Sequence, residues 1–231
     1  MIFLVLSILF ALAHWYFTFK DIRKGIVITK PPVMIFLMIY LLTSVPAITT
    51  RITEPNIFPL WFLLGLFFGL MGDVFLMWPD RLFLPGLVSF LINQILYVIG
   101  FSTYYNAGGN QLMQIGLYIL MLAAVMVVIY LLFKGMEKNN MQRMKLPVGI
   151  YALIITLMVI SAVETFFFHW PVTASVLVTL GAVSFYVSDI MNAWTRFVGP
   201  INNGRFKIMS TYHAAQILIT VGIVFAITLA I

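Results

Sequence analysis

About eight apolar runs follow one another along the chain, each long enough for a helix to cross a lipid bilayer. A bilayer core about 30 Å thick requires roughly 20 apolar residues per helix. Because the connections between the runs are short, little of the chain remains for a soluble domain. The sequence therefore predicts an all-α polytopic membrane protein in which residues 1–231 form a single transmembrane domain. The runs span residues 2–19, 31–49, 57–78, 83–105, 112–133, 146–168, 173–194 and 208–230.

The amino-acid composition also indicates a surface that faces lipid. Of the 231 residues, 63% are hydrophobic and 9% are charged, whereas about a quarter of the residues of a soluble domain are charged. The chain contains no cysteine, which excludes disulfides, thiol catalysis and cysteine-ligated metals. The net charge of +6 could suggest a nucleic acid partner. The placement of the basic residues explains this charge better, so we expect no nucleic acid partner.

Basic residues are concentrated in alternate connections between the apolar runs. Of the 13 Lys and Arg residues, only Arg51 lies outside the first, third, fifth and seventh connections. Because cytoplasmic loops carry an excess of Lys and Arg, these four connections are predicted to be cytoplasmic and both termini to be outside. We expect a multi-pass protein of the cell membrane if the source is bacterial. The other basic residues are Lys20, Arg23, Lys24, Lys30, Arg81, Lys134, Lys138, Arg143, Lys145, Arg196, Arg205 and Lys207.

The two halves of the chain match at an offset of about 115 residues. Asp73 pairs with Asp189, and a tryptophan follows each of them five residues later, at Trp78 and Trp194. Spans three and seven have the same predicted orientation, so the pattern predicts a parallel four-plus-four repeat with halves 1–115 and 116–231. The alternative is that similar helix ends recur by chance.

Asp73 and Asp189 lie inside predicted membrane spans. At a rise of 1.5 Å per residue, both carboxyl groups are roughly 9 to 11 Å inside the predicted cytoplasmic end. An acidic residue at such depth costs on the order of 2.5 to 3.5 kcal/mol, so it should face the bundle interior, and a functional role is the default. Gly65, Gly69 and Gly72 give span three a smooth stripe for close packing. The alternative role is helix association, for instance through a contact between Asp189 and Arg196.

Other polar residues fall at similar depths on spans four, seven and eight. Because unpaired polar groups are costly in hydrocarbon, we expect them to share one cytoplasm-facing pocket with the two aspartates. The alternative is that each makes an ordinary hydrogen bond between helices. The candidate substrate-binding residues are Asn93, Gln94, Tyr97, Ser188, Asn192, Arg196, Tyr212, His213 and Gln216.

No pattern in the sequence predicts a metal site or a cofactor. The chain has three scattered histidines and lacks a His-x-x-x-His pair, a nucleophile elbow and a glycine-rich phosphate loop. The pair of carboxyl groups therefore remains as the source of chemistry. In a low-dielectric pocket two acids resist ionising together, so one can stay protonated as a proton donor while the other activates water.

Four segments together resemble the YhhN-type membrane protein family, which includes the animal lysoplasmalogenases. They cover spans three, four, seven and eight, and the number of spans matches the family. The segments are Gly72-Asp73-Val74-Phe75-Leu76-Met77, residues 86–97, Ser188-Asp189 with Ala193, Arg196 and Phe197, and Tyr212-His213-Ala214-Ala215-Gln216.

This resemblance implies hydrolysis of the vinyl ether bond of a lysoplasmalogen. The products would be a fatty aldehyde and a glycerophospho-ethanolamine or -choline, with Asp73 and Asp189 as the catalytic pair. A lysophospholipid from the surrounding membrane lipid would enter with its headgroup near Arg196, Arg205 or Lys207. The chain departs from the family pattern at Gln94, where a histidine is common, and at His213, where a second tyrosine is common.

A proton-coupled transporter or a lipid-binding membrane protein is the main alternative function. Paired membrane carboxylates in a repeated fold are also how transporters bind coupling ions. Transporter sites usually lie near the bilayer midplane on broken helices. Here the two aspartates lie in the predicted cytoplasmic third, and no proline interrupts spans three or seven near them, which favours an enzyme.

Overall fold

The protein forms a bundle of helices in the computed structural model, which describes residues 1–44, 58–103, 111–168 and 170–229. Within these residues, seven helices are long and apolar enough to cross a membrane, and Pro59–Phe75 is a shorter apolar helix. The predicted all-α polytopic fold is confirmed, whereas Arg51 lies outside the described residues. The helices are α1 Ile2–Phe19, α2 Arg23–Ser44, α3 Phe58–Phe75, α4 Pro79–Thr103, α5 Gln111–Lys138, α6 Lys145–Glu164, α7 Val172–Phe197 and α8 Gly204–Leu229, with short 3-10 turns at Gln142–Met144 and Thr165–Phe167.

Helix α2 begins about two turns earlier than the sequence pattern predicts. The pattern predicts a start at residue 31, because a Pro-Pro pair usually marks a helix boundary. Instead Pro31 and Pro32 lie inside the helix, as prolines in membrane helices can when neighbouring groups compensate for the lost hydrogen bonds. The predicted placement of Lys30 in a connection is therefore wrong, since this residue is helical and 5% exposed.

Glycines allow two pairs of helices to pack at short range. A Cβ atom at Gly181 of α7 would lie 2.7 Å from Ile219 Cγ1 and 2.9 Å from the Ala215 carbonyl oxygen of α8. On α3, the ring of Tyr97 occupies the space beside Gly65, and the ring of Phe90 occupies the space beside Gly72. Two of the three glycines predicted to form a stripe on span three therefore pack against aromatic rings of α4, whereas the third, Gly69, faces α2 and α8.

Side-chain contacts join the four basic connections at one end of the bundle, called here the basic end. Arg205 forms an ion pair of 3.1 Å with Asp21, which links the start of α8 to the α1–α2 connection. Asn139, after α5, donates a hydrogen bond of 2.9 Å to the carbonyl oxygen of Phe197 at the end of α7. The Arg196 guanidinium lies 3.8 Å from the centroid of the Phe83 ring near the start of α4.

Helix α5 packs against α6 and α7 and not closely against α4, although α4 precedes it in the chain. Its outer face exposes large apolar side chains, including Leu120 and Val127. A groove therefore separates α4 from α5, with α6 and α7 forming its floor.

Candidate functional site

The carboxyl group of Asp189 lies on α7 at the groove and is held by two neutral donors. The hydroxyl of Tyr151, from α6, donates a hydrogen bond to Asp189 Oδ2. Gln94 Nε2, from α4, donates to the same oxygen at 3.1 Å and to the Tyr151 hydroxyl at 2.6 Å. Within the part of the chain that the structure describes, Asp189 Oδ1 has no hydrogen-bond partner. Asp189 is also one of the residues that line the groove.

The groove holds about 650 Å³ of empty space, including its open mouth. Most of its lining is aliphatic or aromatic, and Asp189 is the acidic residue in it. Such a cavity suits an alkyl chain, with one carboxyl group placed to act on a bond near the end of the chain. The lining residues are Leu76, Phe83, Leu87, Phe90, Val128, Leu132, Val148, Tyr151, Ala152, Ile155, Tyr186, Asp189, Ile190, Asn192, Ala193 and Phe197.

Asp73 has a different environment, because it is fully enclosed and paired with a cation. Its side chain is 1% exposed, and its Oδ1 lies 3.0 Å from the Nζ atom of Lys30, whose side chain is 7% exposed. The hydroxyl of Tyr212 donates a hydrogen bond of 3.0 Å to Asp73 Oδ2. Lys30 compensates the charge that would otherwise make this burial costly.

Asp189 lines the groove, whereas Asp73 does not, and aromatic rings pack between the groove and Tyr212, the residue that contacts Asp73. Phe90 lines the groove, and its ring centroid lies 5.6 Å from that of Tyr212. Phe185 packs against the other side of the contact, 5.4 Å from Tyr212 and 6.2 Å from Phe90. Within the described part of the chain, neither Asp73 nor any residue of α8 lines the groove, so the groove does not contain all the residues expected in a single pocket. Sequence spacing does not predict the orientation of the Phe90, Phe185 and Tyr212 side chains.

Several predicted site residues make hydrogen bonds between helices away from the groove. Tyr97 donates to Gln216 Oε1 at 2.6 Å, and Asn93 Nδ2 donates to the Gly65 carbonyl oxygen at 2.6 Å. The hydroxyl of Ser188 donates to the Ile208 carbonyl oxygen at 3.0 Å. These bonds join α3, α4, α7 and α8 around the two carboxyl groups.

His213 faces α1 rather than the groove. Trp15 Nε1 donates a hydrogen bond of 3.2 Å to His213 Nδ1, and the ring of His14 lies 5.0 Å away, edge to face. His14 Nδ1 is 3.2 Å from the Thr29 hydroxyl oxygen. Both histidines are fully buried, so this cluster ties α1 to α2 and α8 beside Lys30.

Asn192 and Arg196 follow Asp189 along α7 toward the basic end. Asn192 lines the groove directly. Arg196 stacks on Phe83, which is also a lining residue. Among the predicted site residues, Asp189 and Asn192 therefore line the groove. Gln94 contacts Asp189, and Arg196 contacts the lining residue Phe83.

Two residues that contact the aspartates are absent from the sequence-predicted site. The hydrophobic pattern places Lys30 in a connection between two spans. The signal that could have identified it is its position directly before a buried span, where a lysine can pair with a buried carboxylate. The sequence does not mark Tyr151 as a site residue, because a tyrosine in an apolar run is compatible with ordinary packing. Among the described residues no group of three His, Asp or Glu side chains could hold a metal ion.

The fold and site together define a polytopic helical membrane protein with a carboxyl group in an apolar groove. The family model of the YhhN family matches residues 25–223, so the chain belongs to this family. It is similar to the lysoplasmalogenase TMEM86B of Homo sapiens, with 33% identity over 151 residues, 65% of this chain and 57% of the human protein.

A second relative is the lysoplasmalogenase TMEM86A of Bos taurus. It is 32% identical over 165 residues, which cover 69% of this chain and 63% of the bovine protein. The chain therefore spans less than two thirds of the length of these two relatives. No solved structure matches the chain.

Proposed function

We propose that this protein is a lysoplasmalogenase-like hydrolase that cleaves the vinyl ether bond of a single-chain phospholipid. The observation that carries the proposal is the Asp189 carboxyl group, which lines an apolar groove and is held through Oδ2 by Tyr151 and Gln94. The names of the relatives support this substrate class. The released products are a fatty aldehyde and a glycerophospho-ethanolamine or -choline.

Asp189 can carry out both proton transfers of the reaction. As a carboxylic acid it donates its proton to the vinyl carbon that is not bonded to oxygen, which leaves an oxocarbenium ion at the other carbon. Water adds to that carbon and returns a proton to the Asp189 carboxylate, giving a hemiacetal. The hemiacetal breaks its bond to the glycerol oxygen, that oxygen takes the hydroxyl proton, and one water molecule is consumed in total.

The neutral partners of Asp189 suit this cycle. Tyr151 and Gln94 donate hydrogen bonds to Oδ2 whether the group is charged or neutral, so the carboxyl group keeps its position while Oδ1 exchanges protons. A cation in the same place would favour the carboxylate and oppose proton donation.

Asp73 acts as a positioning residue in this proposal. Its carboxylate orients Tyr212, whose ring packs against the groove residue Phe90. The alternative is that Asp73 is a second catalytic carboxylate, as the sequence motif implies. A double variant that also replaces Lys30 distinguishes these roles and is developed in the Discussion.

A proton-coupled transporter remains the second candidate, supported by the polar side chains in the bundle centre. From Asp73 and Tyr212, polar side chains continue through Gln216 and Tyr97 to Asn93. Beyond Tyr97 the fully buried rings of Phe62 and Phe101 follow, with centroids 5.5 and 6.3 Å from the Tyr97 ring. Because apolar rings follow the polar groups there, the arrangement favours the hydrolase.

The test is aldehyde release from a 1-alkenyl lysophospholipid by the purified protein in lipid vesicles. We expect Asp189→Asn to lower kcat by roughly 10² to 10⁴-fold, the usual contribution of a general acid or base. Glu137→Gln is the matched control, because Glu137 is an exposed carboxylate that pairs with Lys145 at the basic end. Wild-type protein that folds but releases no aldehyde would refute the hydrolase and favour transport.

A further inference from the structure

Three polar residues of α7 form a line from the inside of the groove to the basic end. Asp189, Asn192 and Arg196 are spaced at i, i+3 and i+7, which places them on one face of the helix. At 1.5 Å per residue, Asn192 lies about 4.5 Å and Arg196 about 10.5 Å from Asp189 along the axis. The line presents an acid, an amide and a guanidinium in that order.

The groups of a 1-alkenyl lysophospholipid have a similar order and spacing. Three bonds separate the oxygen-bearing vinyl carbon from the carbon that carries the free hydroxyl, and six bonds separate it from phosphorus. Bonds of about 1.5 Å with angles near 111° advance roughly 1.2 Å each, which gives about 4 Å to the hydroxyl carbon and about 7 to 8 Å to phosphorus. With the vinyl ether at Asp189, the hydroxyl lies beside Asn192 and the phosphate within side-chain reach of Arg196.

We propose that this face of α7 recognises the glycerophosphate part of the substrate, with Asn192 binding the free hydroxyl and Arg196 binding the phosphate. The inference rests on the proposed function, since it takes the vinyl ether to lie at Asp189. The Asn192 side chain has no hydrogen-bond partner within the described part of the chain. Arg196 stacks on the groove residue Phe83, and a guanidinium can bind phosphate through two hydrogen bonds while one face is stacked.

The other basic candidates for the headgroup lie elsewhere. Arg205 is exposed and paired with Asp21 at the α1–α2 connection, and Lys207 is exposed two residues further along α8, a helix that contributes no described residue to the groove. In this proposal the amide also favours single-chain lipids. A second acyl chain would replace the hydroxyl by an ester and place that chain against Asn192.

The experiment compares kcat/KM for three substrates in detergent micelles: a 1-alkenyl lysophosphoethanolamine, its 2-deoxy analogue and 1-alkenylglycerol. A site built for a hydroxyl or a phosphate discriminates against the analogue that lacks it, so we expect wild-type protein to prefer the full substrate by roughly tenfold or more over each analogue. Asn192→Leu should reduce only the preference over the 2-deoxy analogue. Arg196→Gln should reduce only the preference over 1-alkenylglycerol, and Arg196→Lys should keep part of it.

Arg143→Gln is the matched control, because Arg143 is an exposed arginine at the same end of the bundle. Preferences that stay unchanged in the Asn192 and Arg196 variants, or that follow Arg205→Gln instead, would overturn the inference while leaving the hydrolase intact. Equal cleavage of all three substrates by wild-type protein would also overturn the inference and leave the hydrolase intact. Failure of wild-type protein to cleave any of them would overturn the proposed function as well. Arg196→Lys keeps the test valid if Arg196→Gln does not fold.

Discussion

The ion pair between Lys30 and Asp73 gives the sharpest prediction about stability. The two groups are 3.0 Å apart and nearly fully buried, so replacing either one leaves an uncompensated charge or an unpaired donor in the bundle. Removing one partner of a buried pair costs about 3 to 5 kcal/mol, whereas replacing both is often close to neutral. We therefore expect Lys30→Met and Asp73→Asn each to lower the free energy of unfolding by about this amount, and the double variant to recover most of it.

The assay is reversible unfolding in mixed micelles, analysed as a double-mutant cycle. The expected coupling free energy is at least about 3 kcal/mol. The exposed pair of Lys145 and Glu137 is the matched control, since their side chains are 29% and 59% exposed and such pairs contribute about 0 to 1 kcal/mol. A coupling for Lys30 and Asp73 no larger than that of the control pair would refute the reasoning.

The same double variant determines the role of Asp73. If Asp73 only positions Tyr212 and the groove wall, aldehyde release should recover with stability, because the amide oxygen that Asp73→Asn introduces can still accept the Tyr212 hydrogen bond. If Asp73 is a second catalytic carboxylate, the double variant should be as stable as wild type and still inactive.

Four further predictions test the site and the packing. Tyr151→Phe removes one of the two donors to Asp189 Oδ2 and should lower kcat by roughly tenfold, measured by aldehyde release, whereas an unchanged kcat would contradict the assigned hydrogen bond. Gly181→Ala should lower the free energy of unfolding by about 1 to 3 kcal/mol, because its Cβ would meet α8 backbone atoms at 2.9 Å. Gly116→Ala, with open space at its Cβ, should instead stabilise by about 0.5 to 1 kcal/mol. Nitrogen NMR of histidine-labelled protein should find His213 protonated on Nε2, because Trp15 donates to its Nδ1; a proton on His213 Nδ1 would contradict that bond.

The number of helices and the close packing of glycines on α3 could be predicted from the sequence, because hydrophobic length and helical periodicity determine them. The residues that contact the two aspartates could not be predicted from the sequence. Lys30 lies before two prolines, where local rules end a helix, and packing against Asp73 overrides those rules. Tyr151 lies on a helix that the polar pattern did not connect with the site.

The difference between the two carboxyl groups follows from the helices around them. Asp73 of α3 is contacted from α2 and α8, and Asp189 of α7 is contacted from α6 and α4. The predicted repeat would pair α2 with α6 and α8 with α4. The two predicted halves of the chain differ in the packing of their first helices, α1 and α5. Helix α1 contacts α8 through Trp15 and His213, whereas α5 packs on α6 and α7 and leaves a groove beside α4. The enclosed carboxyl group is paired with a cation that offsets the cost of its burial. The carboxyl group at the groove has neutral donors, and its Oδ1 has no partner among the described residues, which is why our proposal assigns the proton transfers to Asp189.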